Sequence, residues 1–327
     1  MNILVLNPGS SSLKSAAYEM PSEARTDGDV DAVGVRVVHG GSRFDAPVVV
    51  DDDVLDGIRE LSALAPLHNP LAVDAIENVR HERPGIPIVA VFDTAFHRTL
   101  PPVASTYAIP QDLGIRRYGF HGISYSYVSK RLRALAPGNR HIVAHLGNGA
   151  SLCAILDGRS VDTSMGFTPM EGLVMGTRAG DLDPGAVLYL LRNRRNDLDD
   201  LLNHRSGLLA VSERSGDVRE LERANDAKAE LALDLFAYRA AKYIASYCAA
   251  LNGVDAIAFT AGIGEHSASM RKRICSRLGF LGVMLDDDAN LASRSDERRI
   301  SSGGVEVWVI PTNEELEIAR GTFAALS

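Results

Sequence analysis

Six short apolar runs recur along the chain, all but IPIVAVFDT closed by a turn rich in glycine, proline or asparagine: ILVLNPGSSS (3–12), VGVRVVHGG (33–41), IPIVAVFDT (86–94), HIVAHLGNGAS (141–151), DAIAFTAGIGE (255–265) and VEVWVIPTN (305–313). Runs of this length, rich in β-branched residues, read as strands. Between them lie segments with helical spacing, VLDGIRELSAL (54–64), GISYSYVSKRLRAL (122–135) and AKAELALDLFAYRAAKYIASYCAAL (227–251). Such alternation means α/β architecture. The apolar residues of 227–251 surround most of a helix, so this segment is expected in a core or a subunit interface. The tail NEELEIARGTFAAL (313–326) reads as a closing helix with Asn313 as its N-cap. A chain of 327 residues is longer than one core usually serves, so two domains are expected. The Asn-Pro-Gly-Ser-Ser turn after the first strand and the Gly-Asn-Gly-Ala-Ser turn after 142–146 look like one device used twice. Two related halves facing each other follow as an expectation.

Composition excludes several functions. With 46% hydrophobic and 23% charged residues and no run near the about eighteen apolar residues of a membrane helix, a bilayer-spanning protein is not expected. The start, MNILVLNPGSSS, has no basic region before its apolar run and reads as a strand rather than a signal peptide. Cys153, Cys248 and Cys275 are odd in number and widely spaced, which fits buried inert thiols and a cytoplasmic location. A net charge of −8 argues against nucleic-acid binding, so any anion site must be local.

Neither glycine turn matches a Walker loop or a dinucleotide fingerprint. Both are nonetheless suited to phosphate, because small residues expose backbone N–H groups and Ser or Asn adds side-chain donors. Asn7, Ser10, Ser12 and Lys14 would form one cradle; Asn148, Gly149 and Ser151 the other. A third turn, Ala261-Gly262-Ile263-Gly264-Glu265, would let backbone approach a flat ligand, or would be a tight strand-to-helix connection. Asp93 and Glu314 are carboxylates at strand ends, placed for a metal-assisted phosphate site or for helix caps. Arg36, flanked by valines, is expected to face a cleft with an anionic partner, and Arg178 lies in the loop VMGTRAGDLDPG (174–185). Asp181 and Asp183 would restrain Arg178 or cap the helix starting near Pro184, the cap being preferred for Asp183. The histidines show no zinc-ligand spacing, and His121, between glycines, is the one expected to touch substrate.

Nine ordered motifs, NPGSSSLK (7–14), RVVHGG (36–41), APLHNP (65–70), VFDTAFH (91–97), YGFHG (118–122), HLGNGAS (145–151), DTSMGFTPMEGLVMGTRAGDLDP (162–184), FTAGIGE (259–265) and PTNEEL (311–316), resemble the acetate kinase family from end to end. The resemblance implies the actin-like, ribonuclease H-like fold of the sugar-kinase and heat-shock ATPase superfamily: two α/β domains with mixed sheets flanked by helices and a nucleotide cleft between them. Residues 1–94 plus 314–327 are expected as a shortened first domain, and 95–313 as the second.

The activity implied is a phosphotransferase with a carboxyl acceptor: reversible transfer of the ATP γ-phosphoryl group to acetate, giving acetyl phosphate and ADP. Mg²⁺ is the implied cofactor, with Mn²⁺ as an alternative, and a homodimer the implied assembly. By the same resemblance His121, Arg178, Asp93 and Arg36 are catalytic, and Arg36, Val38, Leu67, Phe120 and Pro169 bind the acyl substrate. The nucleotide and phosphate residues are Asn7, Ser10, Ser12, Lys14, His145, Asn148, Gly149, Asp217, Gly262, Ile263, Gly264 and His266. Asn7 and Glu314 belong to the metal site. Two departures stand out. Between Met20 and Val33 only PSEARTDGDVDA is present, where the family has several tens more residues, and His266 replaces the usual Asn. Propionate kinase of the same family and a non-catalytic nucleotide-binding superfamily member remain the alternatives.

Overall fold

In the computed structural model the described residues are 1–9, 13–66, 68–193, 197–224, 226–292 and 295–327. They form two compact units: 1–99 with 118–127 and 313–327, and 100–117 with 128–312. Residues 95–99 and 118–127, expected in the second domain, therefore pack with the first.

The first unit holds strands β1 (Asn2–Pro8), β2 (Leu13–Glu19), β3 (Ala24–Arg25), β4 (Ala32–Val37), β5 (Val48–Val49) and β6 (Ile88–Phe92), in the order β3-β2-β1-β4-β6-β5. β1 and β2 pair antiparallel from Asn2↔Glu19 to Pro8↔Leu13, while β4 lies parallel to β1 and to β6, with Arg36 opposite Val91. The second unit holds β7 (Arg140–Leu146), β8 (Ala150–Leu156), β9 (Arg159–Thr163), β10 (Ala256–Thr260), β11 (Arg298–Arg299) and β12 (Glu306–Val309), in the order β11-β12-β10-β7-β8-β9. Read from its own first strand, each sheet is a three-stranded antiparallel meander extended by two parallel strands, and each ends in a short antiparallel edge strand. This is the ribonuclease H-like order, present twice. The two phosphate-type turns occupy the same place in it, between the first and second strands of each sheet, so the repeated turn reflects a repeated fold.

Helices cover both faces of the first sheet. On one face Val33, Val35 and Val37 pack with Ile58 and Ile76 from helices Asp52–Glu60 and Asn69–Glu82. On the other, Ile3, Val5, Val89 and Val91 pack with Leu316, Ile318 and Ala319 of the C-terminal helix Glu314–Leu326. Asn313 caps that helix as expected, its Oδ1 accepting from Leu316 N at 3.0 Å. The long helix Ala227–Ala250 lies in the core of its unit along one face. It buries one stripe, Ala229, Leu233, Phe236, Ala240, Ile244 and Tyr247, and leaves Leu231 and Tyr238 exposed. No described helix is long and apolar enough to cross a membrane.

Gly34 is where the C-terminal helix crosses β4. A Cβ there would lie 2.2 Å from Thr322 Oγ1 and 2.9 Å from Ile318 Cγ2. Gly34→Ala is expected to lower unfolding free energy by about 1–3 kcal/mol through overpacking. Urea denaturation checks this; an unshifted midpoint would show that the helix is not seated so closely.

Candidate functional site

Alternation along the strands of the first unit brings a polar set together. On β1 Asn7 continues the face of Ile3 and Val5, on β4 Arg36 that of Ala32 and Gly34, and after β6 Asp93 that of Val89 and Val91. All three stand at the C-terminal ends of parallel strands, where α/β sheets bind ligands. They share the face covered by helix Glu314–Leu326, whose first turn adds Glu314 and Glu315. Arg36 donates from Nη2 to Asp93 Oδ2 at 2.5 Å and from Nη1 to Asn7 Oδ1 at 3.2 Å. Asn7 Nδ2 in turn donates to Glu314 Oε2 and Glu315 Oε1, at 3.1 and 3.2 Å.

Arg36 thus has the anionic partner its valine-flanked position called for. Burial opposes its charge, but Asp93 and Glu314 hold its pKa above the ordinary range. Burial pushes Asp93 upward, and the Arg36 charge opposes this. Among the described residues Oδ1 of Asp93 is buried without a hydrogen-bond partner. Helix Gly122–Leu135 begins against Asp93: the Ile123 N–H favours its charged form, and a Cβ on Gly122 would lie 1.9 Å from the Asp93 carbonyl oxygen. His121, just before this helix, holds a left-handed φ of 58°, a strained state for a non-glycine residue. Val38 and Phe120 are 5% and 2% exposed in the same unit. Lys14 is exposed on β2, opposite Asn7. Ser10, Ser12 and Leu67 lie outside the described residues.

The second unit gathers the remaining candidates. A cavity of about 470 Å³ is lined by Asn148, Asp217, Gly262, Ile263 and His266, with Glu222 and Ser267 beside them. The AGIGE segment is not a loose turn: residues Ala261–His266 form a short helix opened by Ala261 at φ 64°. Glu265 stabilises its start, Oε1 accepting from Ala261 N at 2.8 Å and from Thr312 N at 3.2 Å. A Cβ on Gly262 would meet nothing within 4 Å, whereas one on Gly264 would press on Phe259 at 3.3 Å. Gly262 keeps a face open, and Gly264 serves packing.

Asp217 is tied to Arg219, which donates at 2.6 Å and holds its pKa below the carboxylate range. It also accepts from Arg219 N at 2.8 Å, so it caps the helix Val218–Ala224. His145 is buried at the end of β7, opposite Ser151, and the turn beyond is closed by Gly147 N to Gly149 O at 3.1 Å. Asn148 O accepts from Gly176 N at 3.1 Å, two residues before Arg178.

Arg178 is half-buried, and burial lowers its pKa. Its Nη1 donates to Pro169 O at 2.8 Å, and among the described residues it forms no ion pair. Asp181 does not restrain it. That carboxylate accepts from Gly172 N at 2.9 Å and Tyr243 Oη at 2.7 Å instead. Asp183 caps helix Pro184–Arg192 through Gly185 N, as expected. Pro169 lies in the second unit and Val38 and Phe120 in the first.

Sequence reasoning missed Glu315, Glu222 and Ser267. Glu315 carried a signal, since it adjoins Glu314 in the first turn of a recognisable helix. Glu222 carried none: its place on the cavity wall, with Ser267 Oγ donating to it at 2.6 Å, comes from tertiary packing.

The acetokinase family matches residues 23–320 of the chain. An acetate kinase of Heliobacterium modesticaldum is 51% identical over 312 residues, 91% of this chain and 79% of that protein. One from Methanosarcina thermophila is 49% identical over 311 residues, 90% of this chain and 76% of its own. Among solved structures, acetate kinase from Porphyromonas gingivalis superposes with a TM-score of 0.92 at 36% identity, covering 100% of both chains. A propionate kinase from Francisella tularensis gives 0.91 at 39% identity and 98% coverage of each. The chain belongs to the acetokinase family.

Breaking a buried pair leaves an uncompensated charge, so a double-mutant cycle on Arg36→Met and Asp93→Asn is expected to give a coupling of about 2–4 kcal/mol. Denaturant unfolding of the four proteins measures it. Additivity within about 0.5 kcal/mol would mean the two side chains do not interact.

Proposed function

We propose that this protein transfers the γ-phosphoryl group of ATP to acetate, reversibly, giving acetyl phosphate and ADP. The observation that carries this reading beyond family membership is Arg178: a half-buried guanidinium held by the Pro169 carbonyl, with no carboxylate among the described residues to neutralise it. A cation so placed suits the equatorial oxygens of a phosphoryl group in transfer, where positioned charge does most of the catalytic work. Acetate is already ionised at neutral pH, so attack needs no general base. This agrees with Asp93, whose Oδ2 is committed to Arg36. The 470 Å³ cavity at Gly262 and Asp217 is read as the nucleoside site, with His266 on its wall. Asn148, Gly149 and His145 are read as the phosphate side of the same unit. In the first unit Arg36 and His121 are read as meeting the acyl carboxylate, and Val38 and Phe120 as enclosing its methyl group.

A divalent cation is implied by the family, and we propose Mg²⁺. The first unit fits one: Asp93, Glu314 and Glu315 outnumber the single guanidinium among them, and Asp93 Oδ1 has no hydrogen-bond partner among the described residues. No cage of three or more His, Cys, Asp or Glu side chains exists among the described residues. Mg²⁺ does not need one, since it keeps waters and is commonly held by one or two carboxylates plus substrate phosphates. Bound there, it would neutralise phosphate charge; Asn7 and the two glutamates would orient it.

A propionate preference is the second reading, supported by the Francisella propionate kinase likeness. The cytoplasm is the proposed compartment: Cys153 and Cys275 are buried free thiols, burial pushing Cys275 up to about 12. A homodimer is also proposed. Helix Pro184–Arg192 has no buried residue and exposes Leu188, Tyr189 and Leu191 at 49, 66 and 60%. Light scattering should give twice the chain mass, and Tyr189→Glu should shift it toward monomer; a monomeric parent protein would refute the assembly.

ATP-dependent hydroxamate formation with acetate, propionate and butyrate tests the activity. No product from any of them would reject it. Arg178→Ala is expected to fold normally and to lose at least about a hundredfold in kcat, the usual worth of a charge-stabilising donor. A folded variant with most of its activity would show that Arg178 is not catalytic.

A further inference from the structure

The segment beyond β4 that carries Val38 has left the sheet ladder, so its backbone groups need other partners. Three consecutive N–H groups find them in side chains or their own ring. His39 N donates to Asn69 Oδ1 at 3.0 Å, Gly40 N to Thr94 Oγ1 at 3.0 Å, and Gly41 N to His39 Nδ1 at 2.9 Å. Asn69 closes the circuit, its Nδ2 donating to His39 O at 3.0 Å. Asn69 is wholly buried and spends both ends of its amide on one residue, a two-point grip that neither Asp nor Ser can reproduce. The backbone is confined from the far side as well, since a Cβ on Gly40 would lie 2.5 Å from Phe44 O. The His39 ring stands edge-on to Phe120 at 5.5 Å and to Tyr118 at 4.6 Å. The Phe120 carbonyl oxygen is in turn bonded to His97 Nε2 at 3.0 Å. One buried polar clamp thus fixes the backbone of His39, the residue after Val38, and reaches Phe120 through the His39 ring.

We propose that Asn69 and Thr94 are positioning residues that set acyl-chain selectivity by holding the Val38–His39–Phe120 wall, an inference that rests on reading Val38 and Phe120 as the acyl pocket. Neither residue touches the substrate. A methylene is discriminated only if the wall cannot yield by a fraction of an ångström, and the clamp removes that freedom.

The test measures kcat and KM for acetate and propionate, and KM for ATP, in Asn69→Ala, Thr94→Val and Thr94→Ser. Asn69→Ala should raise the propionate-to-acetate ratio of kcat/KM by about three- to tenfold, acting through a higher KM for acetate, with KM for ATP within about twofold. Thr94→Val, nearly isosteric but without the acceptor, should move the ratio the same way by a smaller factor. Thr94→Ser, which keeps the hydroxyl, should restore the parent value. General destabilisation would not separate Val from Ser in this readout. If Asn69→Ala does not fold, the Thr94 pair decides. Folded Asn69→Ala or Thr94→Val with the parent ratio overturns the clamp. Val38→Ala is run beside them: a shifted ratio there with none in the clamp variants leaves the pocket standing and removes only the clamp, whereas no shift in Val38→Ala removes the pocket and the clamp with it.

Discussion

A guanidinium cannot be carried on a central strand between valines without a carboxylate to receive it, and the first unit is arranged around that requirement. Arg36 enters from β4, and β6, parallel and in register beside it, delivers Asp93 one residue beyond its own end. β1 brings Asn7 to the same level, and the C-terminal helix returns from the far end of the chain to add Glu314 and Glu315. Gly34 permits that return, because any side chain there would hold the helix off the sheet. Gly122 does the same for the helix that begins against Asp93. The packing glycines and the polar cluster are therefore one design: close approach of two helices sets the distances at which the charges compensate.

The second unit repeats the topology and solves a different problem. At its strand ends backbone dominates: a glycine turn after β7, a short helix opened by a left-handed Ala261, and Gly176 and Gly216 pressed against each other, a Cβ on Gly216 lying 2.7 Å from Gly176 O. Small residues such as Gly147, Gly216 and Gly262 leave room for the 470 Å³ cavity. Duplicated folds thus diverge by what occupies the same strand ends. One half concentrates paired charges, and the other exposes main chain.

Much of this was legible in the sequence because it depends on local rules. The six apolar runs became the central strands of the two sheets, and Asn313 and Asp183 cap the helices they precede. Period-two parity alone would have put Asn7, Arg36 and Asp93 on one face once the strands were aligned, although their register is a tertiary fact. The partner strands β2, β8 and β9 were not legible, since LKSAAYE and RSVDT lack a clear apolar alternation and are recruited by pairing. The helical nature of 261–266 was hidden by its two glycines, which depress propensity while neighbours such as Glu265 supply the missing bonds. Asn69 stood in the sequence only as one letter of the motif APLHNP; the fold shows it gripping a backbone thirty residues away.

The two arginines looked alike in sequence and are unlike in structure. Arg36 is compensated several times over, so its charge is largely spent on Asp93, and its contribution to any ligand is geometry backed by a field that is net negative around it. No carboxylate among the described residues compensates Arg178, and burial lowers its pKa. An anion arriving at Arg36 must meet three carboxylates as well, which is tolerable only with a further cation at hand. An anion arriving at Arg178 meets a positive charge that has lost water and gained the Pro169 carbonyl. On the proposed function these environments divide the roles: Arg178 would lend its charge to a phosphoryl transition state, and Arg36 would lend a position secured in advance.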